Sequence, residues 1–395
     1  MLLMVPLLPL TLPRRVPPLR RRLRVAPAAA VLLLTVTACG GSADSDSSAS
    51  PSAAASSAAP STSSAAPTAS SATTSAAPST GSQATPAIVA AADAFLSSLS
   101  ADEKGSVLFD RDDNEQKTKW SNLPEGLFER SGLMVGDLDQ AKVEAFLEIM
   151  QATLSQEGYD RVVKEWNADE ALTSTDSGGG PGNLQYGKQY YWMAIIGEPS
   201  ETEPWQWQFG GHHVTVNATV EGNDLSLTPS FIGAQPTSYD SDGEEVRPLG
   251  DIEAEAFALV DSLDETAQDK AVLGDSYIDL VAGPGQDGRT VQAEGLPGSE
   301  MSADQQDALL KLIMEYGGLA NAEDAAARES QLESDLDETT FAWYGPTTEG
   351  EAAYFRVTGP SVLIEYSPQS MGGDATEHIH GIYRDPTNDY GGTIS

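Results

Sequence analysis

The sequence predicts an α+β protein whose folded region consists of two related halves, each with helices followed by antiparallel strands. Three observations lead to this prediction. A Ser/Ala/Thr/Pro-rich segment ends at residue 85, amphipathic helical patterns open each half, and short runs of apolar and aromatic residues close it. The halves span residues 86–245 and 246–395, and their similar order predicts pseudo-two-fold symmetry.

The first 38 residues are predicted to be a targeting segment. Six arginines precede an apolar run from Ala26 to Ala38, which is too short to span a bilayer as a mature helix. The end of this run, with Cys39 after small residues, resembles a bacterial lipobox. The resemblance implies a diacylglyceryl group on Cys39, cleavage before it, and anchoring at the outer face of the cytoplasmic membrane. An ordinary secretory signal with an incidental cysteine is the alternative.

Residues 39–85 form the predicted tether between this anchor and the folded halves. The segment is almost wholly Ser, Ala, Thr and Pro, so it cannot bury enough apolar surface to fold and is expected to be disordered. Cys39 is the only cysteine of the 395 residues. An intramolecular disulfide, a thiol nucleophile in the folded part and a cysteine-ligated metal are therefore excluded.

The charge of the chain excludes one class of partner. Without the six arginines of the leader, 16 basic residues remain against 59 acidic ones, a balance of −43. Such a surface repels nucleic acid, so no nucleic-acid partner is expected. The acidic residues are dispersed and match no EF-hand spacing, which favours a role in solubility over a series of calcium sites.

The helical patterns recur in the same order in both halves. Each half also has a Gly-Leu loop before its longer helix, at Gly126-Leu127 and Gly295-Leu296. The predicted helices are Ala90–Leu99 and a longer helix capped by Asp137 and Gln140 in the first half, then Ala254–Leu263 and a longer helix behind a Ser302–Gln305 capping box in the second.

Four strands are predicted to close each half. They are Tyr190–Ile196, Trp205–Phe209, His212–Val220 and Leu225–Ile232, followed in the second half by Phe341–Tyr344, Ala353–Val357, Ser361–Tyr366 and His378–Tyr383. Residues Phe209–Asn217 align with Val357–Glu365 without a gap. In this alignment His213 corresponds to Ser361, and Asn217 corresponds to Glu365.

Several of these strand motifs together resemble one bacterial family, domain of unknown function 3500. The motifs are Trp-Gln-Trp-Gln-Phe-Gly-Gly-His-His at 205–213, Leu-Ile-Glu at 363–365 and His-Ile-His-Gly-Ile-Tyr-Arg at 378–384. The resemblance covers most of residues 88–392. It implies that these histidines, the glutamate and the arginine are polar landmarks of the family, and it implies no activity.

All four histidines fall into two clusters, which indicates a metal or proton-transfer site. On a strand, His378 and His380 point to the same face with Cα atoms about 6.5–7 Å apart, close enough to share one ion. A hairpin is expected to bring Glu365 within cross-strand reach and to complete a ligand set for zinc, manganese or non-haem iron. Two alternatives stay open: the histidines are a structural pair, and Glu365 pairs with Arg384 or Arg356.

The adjacent His212 and His213 cannot both face one site from a regular strand. Strand alternation places His212 with the apolar Val214 and Val216, and His213 with the polar Thr215 and Asn217. His213 is therefore ranked above His212 as a metal ligand and, with Glu365, as a catalytic residue. A bulge at the preceding glycines would reverse that ranking.

Trp205 and Trp207 form an aromatic stripe that could stack on sugar rings, and Asn217 and Arg384 are the polar candidates for contacting a ligand. The alternative is that the stripe is the core face of a strand.

These patterns support three hypotheses. The first is an extracytoplasmic lipoprotein with a His/Glu site for zinc, iron, copper or manganese, acting as a metal-dependent hydrolase or oxidoreductase on a small polar substrate. The second is a non-enzymatic cell-envelope protein that binds a glycan. The third is a metal-free acid–base enzyme that uses histidine and Glu365. The sequence leaves the substrate, the metal and the oligomeric state open.

Overall fold

The computed structural model describes residues 84–174, 184–371 and 373–392, which belong to one compact unit, Ser79–Ser395. The predicted targeting segment, Cys39 and the tether up to residue 83 lie outside the described residues. Within the described ranges, no helix is both long and apolar enough to cross a membrane.

Among the described residues, the first half contains five helices, and it has more strands than the sequence patterns predict. The helices are α1 Thr85–Ser98, α2 Ala101–Val107, α3 Asn114–Lys117, α4 Gln140–Thr153 and α5 Gln156–Leu172. The strands are β1 Leu108–Phe109, β2 Leu133–Met134, β3 Trp192–Ile196, β4 Trp205–Gly210, β5 Thr215–Glu221, β6 Asp224–Ser226, β7 Ser230–Ala234, β8 Tyr239–Ser241 and β9 Glu244–Val246.

The second half repeats the helices-then-strands order. Its helices are α6 Gly250–Asp261, α7 Glu265–Ala271, α8 Ala303–Gly317 and α9 Ala322–Asp335. Its strands are β10 Val272–Gly274, β11 Leu296–Pro297, β12 Thr340–Tyr344, β13 Tyr354–Thr358, β14 Leu363–Pro368 and β15 Ile379–Arg384. The prediction of an α+β fold is confirmed.

One large mixed sheet joins the two halves. Its strand order is β1-β3-β4-β5-β7-β15-β14-β13-β12-β10, with β2, β6 and β11 paired to β3, β5 and β12. The strands β7 and β15 are antiparallel neighbours at its centre. Outward from this pair the strands follow in matching order on both sides, with a parallel strand at each edge. The pseudo-two-fold relation itself remains a prediction.

Local signals explain where the helices begin. Ser302 and Gln305 form the predicted capping box of α8. The N-cap of α4 is Asp139, which accepts a hydrogen bond from the Lys142 backbone, and not the predicted Asp137 or Gln140.

The Gly-Leu pair that matches Gly295-Leu296 is Gly132-Leu133 rather than the predicted Gly126-Leu127. Gly132 and Gly295 both have positive φ, and an added Cβ on either would lie 2.1 Å from a strand carbonyl oxygen. Leu133 and Leu296 are buried and begin equivalent short strands.

Alternate residues of the central strands face two different layers. On one face, the indole of Trp207 packs edge-on against Phe146 of α4, and Phe209 packs against Trp166 of α5. On the other face, loops and the short helix α3 cover polar side chains; Gln208, for example, donates to the backbone oxygen of Lys117 at the end of α3. The main helix layer therefore covers the apolar face, and the histidine site is built on the polar face.

Candidate metal centre

Three histidine rings converge at one end of the central strands. The Nε2 atom of His378 lies 3.1 Å from Nε2 of His213 and 2.9 Å from Nε2 of His380. All three residues are buried, with exposed fractions of 0% for His213, 4% for His378 and 9% for His380. Their ligand atoms lie within 4.8 Å of one another, so the group could hold a metal ion.

Strand alternation positions His378 and His380, as the sequence predicts. His378 immediately precedes β15 and His380 lies within it, on the same face of the sheet. Opposite His380 on β7 stands Gly233. A Cβ at Gly233 would lie 2.9 Å from the Ile379 oxygen and 3.1 Å from the His213 oxygen. Only glycine therefore lets the turn that carries His213 approach β15 so closely.

His212 and His213 do not lie on a strand, which corrects the predicted strand His212–Val220. They occupy the turn between β4 and β5, closed by a hydrogen bond from Gly211 N to Val214 O. Alternation along a strand therefore does not apply to them, because β5 begins only at Thr215. His213 points to His378 and His380, whereas His212 belongs to a second group with Asp169.

The side chains of Tyr191 and Arg130 hold the turn that carries His212 and His213 in place. Gly211 lies against the ring of Tyr191, where an added Cβ would approach to 2.6 Å, and the His213 backbone N–H donates to the Tyr191 hydroxyl at 3.3 Å. Arg130 donates through Nη2 to the oxygens of Gly211, Ser121 and Leu123. The same guanidinium group thus ties the histidine turn to the loop on either side of Asn122.

Each converging ring has a polar neighbour at its other nitrogen. Nδ1 of His378 lies 2.7 Å from the Met371 carbonyl oxygen, Nδ1 of His380 lies 3.3 Å from the Asn122 amide nitrogen, and Nδ1 of His213 lies 3.3 Å from Asp169 Oδ1. Of these neighbours, the Met371 oxygen accepts a hydrogen bond from Nδ1 of His378, a contact of the kind that fixes the orientation and tautomer of a metal-binding histidine.

The environment keeps the rings neutral near pH 7. Burial is the main cause that lowers the pKa of His213 to about 4, with His212 adding to the effect and Asp169 opposing it. Burial and then His213 lower the pKa of His378 to about 4, and burial lowers that of His380 well below its usual value. For Asp169, burial favours a higher pKa, but His212 and His213 hold it well below the usual range.

The hydrogen-bonding of three neutral rings is incomplete without a cation. A carbonyl oxygen only accepts, so the Nδ1 of His378 carries the proton and its Nε2 offers a lone pair. Either His213 or His380 can donate a hydrogen bond from its Nε2–H group to that lone pair. The Nε2 atom of the remaining histidine then has no partner in the group. A metal ion satisfies all three lone pairs together, and two ligands of a tetrahedral zinc ion lie about 3.3 Å apart.

Glu365 is not brought into this group, although the sequence predicts it as a ligand. The register of β14 and β15 places Ser367 opposite His380 and Glu365 opposite Ile382. The Glu365 carboxylate is fully buried and accepts hydrogen bonds from the backbone N–H groups of Val281 and Ala282 and from the Tyr354 hydroxyl. It fixes a covering loop to the sheet.

The four residues predicted to bind substrate also have structural contacts. Trp205 and Trp207 are 2% and 0% exposed in the apolar core between the sheet and the helices of the first half, which leaves no ring face for a sugar. Asn217 is buried and bonded to Gln208 and the Pro229 oxygen. Arg384 is buried too, and its guanidinium group contacts two acidic side chains and two backbone oxygens.

Comparison with known families finds one family that matches the whole folded region. Residues 81–392 match the family described as protein of unknown function (DUF3500). The chain belongs to this family. The DUF3500 region therefore includes both halves, the complete sheet and all four histidines. Comparison with curated proteins and with solved structures finds no match for the chain.

Three site residues of the DUF3500 region were missed by the sequence analysis. Asp169 lies in the last turn of α5, among the buried Glu165, Trp166 and Leu172. An acid inside an apolar helical stripe is the signal that could have found it. Asn122 and the Met371 carbonyl carry no such signal, because each reaches a histidine from a loop.

Proposed function

We propose that the DUF3500 region holds one divalent transition-metal ion between His213, His378 and His380. The observation that carries this proposal is the convergence of three buried, neutral Nε2 atoms, each ring with a polar neighbour at its Nδ1 atom. Imidazole ligands suit zinc, copper, iron and nickel. The three-histidine set without a carboxylate or thiolate favours zinc and leaves a fourth position for water or substrate.

The surrounding residues can adapt to such an ion. His380 must carry its proton on Nδ1 when Nε2 binds metal, and the Asn122 side chain accepts a hydrogen bond from that N–H group when its amide turns to present oxygen instead of nitrogen. Asp169 supplies a negative charge next to His213, which offsets part of the charge of a divalent ion. His378 needs no change, because the Met371 oxygen already accepts a hydrogen bond from its Nδ1–H group.

We infer that the activity is hydrolysis of a small polar substrate. A zinc-type ion at three imidazoles supplies Lewis acidity and activates a water molecule near neutral pH. His380, the most exposed of the three histidines at 9%, leaves the group only narrowly open to solvent, which favours a small substrate.

Elemental analysis of the purified protein tests the metal directly. Wild type is expected to carry close to one ion per chain, and His378→Ala and His380→Ala are expected to lose it. Glu365→Gln is the matched control, because this residue lies outside the group, and it should retain the ion. Wild-type protein that stays metal-free after zinc, copper, iron and manganese are offered would contradict the proposal.

A panel of small chromogenic esters and phosphoesters tests the activity. Hydrolysis should disappear with a chelator, return with added zinc and be absent in His380→Ala. A rate that is indifferent to chelation would contradict metal-dependent hydrolysis.

We further propose that the chain is a lipoprotein anchored through Cys39 at the outer face of the cytoplasmic membrane. The lipobox-like sequence and the tether composition support this location. Metabolic labelling with a radioactive fatty acid should mark wild type and not Cys39→Ser. Equal labelling of both, or of neither, would count against the anchor.

A further inference from the structure

The second acidic and histidine group lies directly behind His213. Asp169 is buried, and its Oδ1 atom accepts a hydrogen bond from Nδ1 of His212 at 2.8 Å and lies 3.3 Å from Nδ1 of His213. Its Oδ2 atom accepts a hydrogen bond from Gly187 N at 3.2 Å. One ligand atom from each of Asp169, His212 and His213 lies within 4.8 Å of the others.

The contact between Nδ1 of His213 and Oδ1 of Asp169 has the geometry of two ligands of one ion more than that of a hydrogen bond. Its Nδ1 atom is fully buried and has no hydrogen-bond partner, although Asp169 Oδ1 is only 3.3 Å away. The carboxylate oxygen therefore lies off the direction in which Nδ1 would donate. Two ligands of one tetrahedral zinc ion are also about 3.3 Å apart, and neither lies on the other's lone-pair axis.

We propose that Asp169, His212 and Nδ1 of His213 form a second metal position, so that the ring of His213 bridges two divalent ions. This inference rests on the proposed function, because Nε2 of His213 holds the first ion. The ligand class is a borderline divalent ion such as zinc or copper, which accepts both imidazole and carboxylate ligands.

The charges and protons of the arrangement balance. A neutral imidazole has one lone pair and one N–H group, so coordination at both nitrogens releases one proton from His213 to solvent. His212 stays neutral, because its proton moves from Nδ1 to Nε2 when Nδ1 binds the ion. The bridging imidazolate and the Asp169 carboxylate each contribute one negative charge to a buried pair of ions. Because only the second ion requires this proton loss, the second ion binds more weakly than the first.

The route to the second position is open on one side. His212 is 8% exposed and its ring lies 3.7 Å, centroid to centroid, from that of His213. The ring of His212 therefore connects the surface to the buried carboxylate. Its place in the group also accounts for two adjacent histidines in one turn, since His212 binds only the second ion whereas His213 binds both.

Copper titration of the full-length protein tests the inference by stoichiometry and by electron paramagnetic resonance. Wild type should bind two equivalents, and the second should reduce the integrated copper(II) signal by at least half, because an imidazolate bridge couples the two spins. His212→Ala should bind one equivalent with its full signal. Ser361→Ala, in the corresponding turn of the second half, is the control and should behave as wild type.

The outcomes separate this inference from the proposed function. One equivalent in wild type, lost in His378→Ala, overturns the second position and leaves the first intact. Two equivalents in His212→Ala, or two uncoupled ions in wild type, also overturn the bridge. No bound copper in folded wild type overturns the proposed function together with the inference.

Discussion

Replacing Glu165 with glutamine should stabilise the protein at neutral pH, by an amount that shrinks as the pH falls toward 4.5. Glu165 lies on α5, one turn before Asp169, and is fully buried. Its Oε2 atom accepts a hydrogen bond from Gly233 N at 3.3 Å, whereas Oε1 has no hydrogen-bond partner. Burial raises the pKa of this carboxyl group well above its usual 4.5, and Arg161 only partly opposes the effect.

The sign and size of the effect follow from proton uptake on folding. Above pH 4.5 the glutamate ionises in the unfolded chain but stays protonated in the folded protein. The free energy of unfolding therefore falls as the pH rises, by about 1.4 kcal/mol per pH unit until the pH reaches the folded-state pKa. Above pH 4.5, wild type should therefore lose stability relative to the non-titrating glutamine variant, by no more than about 1.4 kcal/mol per pH unit.

Urea denaturation followed by tryptophan fluorescence measures this difference. Wild type, Glu165→Gln and the control Glu148→Gln, exposed on α4, should be compared at pH 4.5, 5.5 and 6.5. The histidines are common to all three proteins, so their titration cancels in the differences. A Glu165→Gln advantage that stays constant with pH, or that shrinks as the pH rises, would refute the reasoning.

Three further substitutions test the walls of the histidine site. Gly233→Ala should lower the free energy of unfolding by about 1–3 kcal/mol through overpacking. The control Gly105→Ala, at a helix position with open space around it, should raise the free energy of unfolding by about 1 kcal/mol. Urea denaturation checks both variants, and equal effects would contradict the close approach at Gly233. Asp169→Asn should weaken zinc binding about 10–100-fold in a competition titration, with unchanged circular dichroism. Asn122→Ala should weaken zinc binding within the same range of about 10–100-fold, and an unchanged affinity would remove Asn122 from the site.

The parts of the site that depend on local pattern could be predicted from the sequence. His378 and His380 share a face because two residues separate equal positions along a strand. The pairing of the two histidine clusters followed from their being the only histidines in the chain. The α+β fold followed from the order of helical and strand patterns.

The parts of the site that depend on strand register and on turn conformation could not be predicted from the sequence. The exclusion of Glu365 follows from the register of β14 and β15, which puts Ser367 opposite His380. His213 was ranked above His212 from strand alternation, yet both lie in a turn. Their separation into two groups comes from the conformation of that turn and from its contacts with Tyr191 and Arg130.

Long-range packing determined the remaining differences. Asp169 reaches the histidines only because α5 packs against the central strand β7, and a sequence pattern carries no such distance information. The predicted strand Leu225–Ile232 is divided into β6 and β7. Pro229, between them, has no N–H group to donate to a ladder.

X-ray absorption spectroscopy of the protein loaded with one equivalent of zinc tests the central claim most directly. The three-histidine centre predicts three imidazole nitrogens and one further light atom at about 2.0–2.1 Å, with multiple-scattering features of all three rings. A zinc environment with one imidazole or none would contradict the claim that His213, His378 and His380 hold the ion.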